Sequence, residues 1–132
     1  MPVLKFIFDY FKYPVIPVKF YSENKETPVI DALLDSGGDF IVIPMPIAKY
    51  LSLKLKKAGS VDTAGGETVL FKSIVSMEIG RKDQTYTYKD IEIHVSDRND
   101  IPVLIGRHPI FEDYEITFVN KKKQLIMSRT ED

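Results

Sequence analysis

The chain has no cysteine and no tryptophan, and only two histidines among its 132 residues. Without thiols there can be no disulfide, no thiolate nucleophile and no cysteine-ligated zinc or iron–sulfur centre. The absence suits a reducing compartment. His94 stands on the polar side of an alternating segment and His108 opens a short apolar one. Neither has carboxylates at ligand spacing, so no metal and no cofactor is expected. Charge of one sign is also lacking: 18 Lys and Arg stand against 19 Asp and Glu, a formal net charge of −1. A nucleic-acid footprint needs a basic excess, so no nucleic-acid partner is expected, and Lys121 to Lys123 reads as a solvated turn. No apolar run approaches the roughly 20 residues of a membrane span, so no membrane partner is expected either. The segment from Met1 to Tyr10 has no basic start and carries Asp9 inside its apolar part. It does not read as a signal peptide, and a cytoplasmic location is the expectation. Gly-rich phosphate loops and Gly-x-Ser-x-Gly are absent as well.

What is present is ordinary globular composition, 44% hydrophobic and 28% charged, at a length that suits one domain with a single core. That length is too short for two lobes with a cleft between them. A large cleft would have to be shallow, or shared with another chain.

Most of the chain reads as β. Val69, Phe71, Val75, Met77 and Ile79 alternate with polar residues, broken only by Ser73, and Tyr86 to Val95 repeats the pattern. Period two marks half-buried strands. Gly80 to Gln84 joins them as a hairpin. Glu115–Val119 and Gln124–Met127 flank Asn120–Lys123 as another. Val15–Tyr21 and Pro28–Leu34 form an earlier pair, with Pro14 and Pro17 restricting the first to an edge or a strand start. Residues 3–13 are read as strand on their aromatic content. Short helices are expected over Pro46–Leu51 and Arg107–Tyr114, each with proline near its start. The fold class is therefore all-β with one or two short helices.

Three segments can carry chemistry. In Ala32-Leu-Leu-Asp-Ser-Gly-Gly-Asp39 an apolar strand runs straight into Asp35, then Ser36, Gly37 and Gly38. Ser36 is placed to fix the turn by side-chain to backbone hydrogen bonds, and the glycines let a ligand backbone come close. Taken alone, Asp-Ser-Gly is a common turn. Val103-Leu-Ile-Gly-Arg107 is a second apolar strand ending in glycine, where two backbones cross. Val61 to Thr68 is a Gly-rich hairpin tip.

In this order and at this spacing, the three motifs resemble those of the retroviral-type aspartic peptidases, the retropepsin-like family, over roughly residues 15–127. Ala32 to Asp39 resembles the catalytic signature. Thr63 to Glu67 sits where the family carries its flap. Leu104 to Arg107 is similar to the apolar-apolar-Gly-Arg segment ahead of the C-terminal helix. The resemblance implies a single-domain, closed acid-protease β-barrel over residues 15–132, with residues 1–14 an extension that supplies an extra strand or part of an interface. It implies a homodimer acting on a peptide or protein substrate, in which two copies of Asp35 activate a water. Asp35, Ser36 and Gly37 would be the catalytic residues, and Gly38, Asp39, Ala64, Gly65 and Gly66 would bind substrate. Arg107, with Gly106, would support the site by pairing with Asp39. Phe40 and Ile41 depart from the family's polar pair and make the nearby pocket more apolar. Asp62-Thr-Ala-Gly65 mimics the signature but lacks its apolar lead-in, so it reads as loop. The alternative is a catalytically silent module of the same fold that binds peptides or serves assembly.

Overall fold

The computed structural model describes residues 3–63 and 66–130. Its strands are β1 (Val3–Asp9), β2 (Val15–Ser22), β3 (Lys25–Glu26), β4 (Ile30–Leu34), β5 (Val42–Pro44), β6 (Lys56–Thr63), β7 (Gly66–Arg81), β8 (Gln84–Ser96), β9 (Leu104–Ile105), β10 (Glu115–Val119) and β11 (Gln124–Thr130). One regular helix, α1 (Met45–Tyr50), starts with Pro46 in its first turn, where the missing N–H costs nothing.

β2, β4, β9, β5, β8 and β7 follow one another, and β7 pairs back onto β2 through Val18↔Ile79 to Tyr21↔Ser76. These six strands close a barrel, with β3 and β6 outside the ring. Its interior is filled by the alternating positions that the periodicity singled out. Ile16, Val18, Phe20, Ala32, Ile43, Met77, Ile79, Ile93, Val95 and Ile105 are fully buried. Ser73, the break in the β7 alternation, is also buried, and its hydroxyl donates to the Lys54 carbonyl at 2.8 Å. That bond compensates a polar atom in an apolar row.

Pro17 lies inside β2 rather than at its start, paired with Asp31 of β4. The Leu34 N–H donates to the Pro14 carbonyl at 3.1 Å. Narrow, hydrogen-bonded pairs alternate along an antiparallel ladder, so the Pro17 nitrogen turns away from β4. Pairing with β7 begins only at Val18, so no ladder bond is lost. β6 takes in Asp62 and Thr63, which read as loop in the sequence. It is a lysine-bearing outer strand held by β7 alone, from Lys56↔Lys72 to Thr63↔Gly66.

Residues 3–9 do form a strand, and β1, β11 and β10 make a second, three-stranded sheet in that order. Phe6, Leu125 and Met127 join it to the core. Arg129 fastens its far end: the guanidinium lies 4.8 Å from the Tyr86 ring centre and 5.3 Å from that of Tyr114. It also donates to the Tyr88 hydroxyl at 3.4 Å. Tyr88 in turn donates to Asp113 at 2.7 Å, and burial together with this bond pushes its phenol well above the ordinary value.

Candidate active site

β4 ends at the barrel rim, and Asp35 is the next residue. Its position is set from two sides. The Asp35 N–H donates to the Ile105 carbonyl at 2.9 Å, continuing the parallel β4–β9 pairing, while the Leu34 N–H is held by Pro14. The carboxylate then folds over its own turn: Oδ1 accepts the Gly37 N–H at 3.1 Å, and the Asp35 carbonyl accepts the Gly38 N–H at 3.2 Å. Asp35 thus makes the side-chain bond that the sequence suggested for Ser36. The Ser36 side chain is exposed, with no hydrogen-bond partner among the described residues. Glycine at 37 and 38 leaves room for this carboxylate. A Cβ at either position would stand only 3.4 or 3.3 Å from an Asp35 oxygen.

The rest of the loop is laced to the segment after β9. The Gly38 and Asp39 carbonyls accept the Arg107 and His108 N–H groups, each at 2.9 Å. Gly106 lies against Phe40, where an added Cβ would sit 2.3 Å from the Phe40 carbonyl oxygen. Glycine here is the condition for the two segments to cross. The Arg107 guanidinium donates to the Asp39 carboxylate, the ion pair expected from the motifs, at an exposed position. Instead of a regular helix from 107 to 114, the chain makes one wide turn over Arg107–Phe111, broken at His108 by an extended conformation (φ −97°, ψ 130°).

Phe40 stands between two histidines, 4.6 Å from the His94 ring centre and 6.1 Å from that of His108. His94 is not on a solvated strand face, because the Asp35–Ile41 loop covers it. Burial lowers its pKa, and its Nε2 has no hydrogen-bond partner among the described residues. His108 Nδ1 meets Glu112 at 2.6 Å. A cavity of about 570 Å³ opens here, walled by Phe40 and Phe111 and rimmed by the Asp39–Arg107 and His108–Glu112 pairs. Period-two reading had no means of finding His94, because its burial comes from a loop more than fifty positions earlier.

Gly66, the third of the predicted flap residues, opens β7 in a left-handed conformation (φ +110°). In the β6–β7 hairpin that carries it, the last described pair is Thr63↔Gly66. Ala64 and Gly65 lie outside the described residues. Asp62, first residue of the mimic motif, lies within β6, paired opposite Glu67 one residue before that strand ends.

A closed barrel with a single strand-terminal Asp-Ser-Gly-Gly turn, crossed by a Gly-Arg segment, defines the retropepsin-like fold. A family model described as aspartyl protease matches residues 16–108, and the chain belongs to that family. Among solved structures, a retropepsin-like aspartic protease from Rickettsia conorii superposes with a TM-score of 0.69 at 21% identity, covering 92% of this chain and 97% of its own. EIAV protease in complex with the inhibitor HBY-793 does so with a TM-score of 0.54 at 19% identity, covering 76% of this chain and 88% of its own. A comparison with curated proteins returns no match.

Proposed function

We propose that this protein is an aspartic endopeptidase whose active site forms when two copies of the chain meet. The observation that carries this reading is Asp35 itself. It is an intact, partly exposed carboxylate on a glycine-backed turn at the end of β4, in a chain of the aspartyl protease family.

One chain supplies one such carboxylate, and two copies brought together share a proton. The ionised Asp35 takes a proton from a water, whose oxygen attacks the peptide carbonyl carbon. The protonated Asp35 gives its proton to the carbonyl oxygen, leaving a neutral tetrahedral diol. One hydroxyl then returns its proton to a carboxylate, the C–N bond breaks, and the departing nitrogen receives the proton held by the first. Ser36, unpartnered among the described residues, would hydrogen-bond across the dimer axis. Gly37 offers its carbonyl to the substrate, and Gly38 and Asp39 line the approach. Arg107 keeps Asp39 in place, and Gly106 allows the crossing that brings the two together. The β6–β7 hairpin, with Ala64, Gly65 and Gly66 at its tip, closes over the bound peptide as a flap. The peptide lies extended and adds main-chain bonds as a strand. No cofactor enters the reaction. A cytoplasmic setting accords with the absence of cysteine, and no helix among the described residues is long and apolar enough to cross a membrane.

The test is a peptide-cleavage assay at mildly acid pH with and without a statine-type inhibitor. Asp35→Asn should remove cleavage by several orders of magnitude while leaving the circular-dichroism spectrum and melting temperature close to the parent's. Cleavage that survives this substitution would refute the assignment. A protein that binds peptides but never cleaves them would establish the silent module.

A further inference from the structure

We propose that Phe11 and Tyr13 form the contact by which a second copy of this chain docks beside Asp35. This rests on the homodimer reading above and specifies the surface it uses.

The first observation is register. β2 pairs with β4 as Val15↔Leu33 and Ile16↔Ala32, and the Pro14 carbonyl accepts the Leu34 N–H. Tyr13 precedes Pro14 and Asp35 follows Leu34, so both stand just beyond the same end of this ladder. The second observation is exposure. Phe11 is 93% exposed and Tyr13 59% exposed, the two most exposed of the chain's aromatic rings among the described residues. Lys12 lies between them, its ammonium 5.3 Å from the centre of the Tyr13 ring.

The third observation is that the rings stand on an anchored connection. On one side Tyr10 is buried, its hydroxyl donating to Asn120 at 3.0 Å and its N–H to the Lys123 carbonyl at 2.9 Å. On the other side Pro14 is held by β4. The segment between β1 and β2 therefore presents its aromatic groups in a fixed place.

The occupant is a second copy because the site is incomplete without one. A two-fold axis that brings two Asp35 carboxylates within proton-sharing distance passes close to this end of the β2–β4 ladder, where the Tyr13 segment also lies. Such an interface must be self-complementary, and aromatic rings meet their own kind favourably in stacked or edge-to-face pairs. The C-terminal strand is not free to serve instead. Both edges of β11 are paired within the chain, by β1 and β10.

The experiment compares the parent with the double variant Phe11→Ser/Tyr13→Ser by sedimentation equilibrium over a wide concentration range. Peptidase activity is measured on the same samples. Neither ring packs into the core, so the variant should keep the parent's melting temperature. The dissociation constant of its dimer should rise by roughly 100-fold, the scale of losing two central interface contacts. Its activity per chain should fall at low concentration and recover at high concentration. A double variant that dimerises as tightly as the parent overturns the proposal, and so does a parent that stays monomeric throughout. A parent that dimerises through these residues yet cleaves nothing upholds the interface and overturns the peptidase reading.

Discussion

Beneath Phe40, His94 presents a ring nitrogen that is buried and has no hydrogen-bond partner among the described residues. The charged groups around it pull in opposite directions. Glu92 on its own strand and Asp39 on the covering loop favour the imidazolium, Lys72 on β7 opposes it, and burial outweighs them all. The folded-state pKa thus lies below the ordinary 6.5. Above that value both folded and unfolded chains are neutral here, and nothing changes with pH. Below it the unfolded chain takes up the proton first, so stability falls as pH falls towards the folded pKa. His94→Gln should flatten this dependence. The urea midpoint of the variant, followed downward from pH 6.5, should decline less steeply than the parent's. Equal slopes would show that His94 carries no such linkage. At this scale the sequence was readable where function lies within a few positions. Asp35, Gly37 and Gly38 form a single turn, and the Asp39–Arg107 pair joins the ends of two recognisable motifs. Phe40 over His94 was not readable, because that contact is made by segments whose meeting depends on the closed barrel.

Elements show the same division. Strands with one buried face, β7 and β8 above all, declare themselves by alternation. β6 has exposed lysines and no buried row, so its strand character comes only from the partner β7 offers it. The wide turn after β9 was expected to be a regular helix because proline stands near its start. The Asp35 loop instead claims the Arg107 and His108 N–H groups, and His108 becomes extended. The crossing of that loop over Gly106 makes a sharp prediction. Gly106→Ala places a methyl group against Phe40 backbone atoms that have no side-chain freedom to yield. It should cost roughly 1–3 kcal/mol or more, as overpacking does, read as a lowered denaturation midpoint. Because the displaced loop carries Asp35 and Asp39, peptide cleavage should fall further than stability alone accounts for. An alanine variant with parental stability and activity would mean that the two segments can separate freely.

In the whole molecule, the barrel and the terminal sheet share one core. The family match begins at residue 16, yet Phe6 of β1 is only 1% exposed and stacks with Phe8 at 5.5 Å between ring centres. We propose accordingly that residues 3–14 belong to the same folding unit as the barrel. Phe6→Ala should destabilise by roughly 3–5 kcal/mol, the usual cost of emptying a phenylalanine site. Guanidinium unfolding followed both in the far-ultraviolet and by tyrosine fluorescence should report a single transition at a lower midpoint. Two separate transitions would show that the terminal sheet melts on its own. The sheet also decides how the chain responds to force. β1 and β11 are antiparallel, and Val3 faces Thr130 at one end of their ladder. A pull applied to the two ends of the chain therefore loads the hydrogen bonds one after another, like a zipper, instead of all at once in shear. A translocating unfoldase gripping either end would meet little mechanical resistance at first. When the pull comes from the N-terminal side, the first part peeled away is β1, the strand that leads into Phe11 and Tyr13, so tension would strip the proposed dimer contact before it breached the barrel.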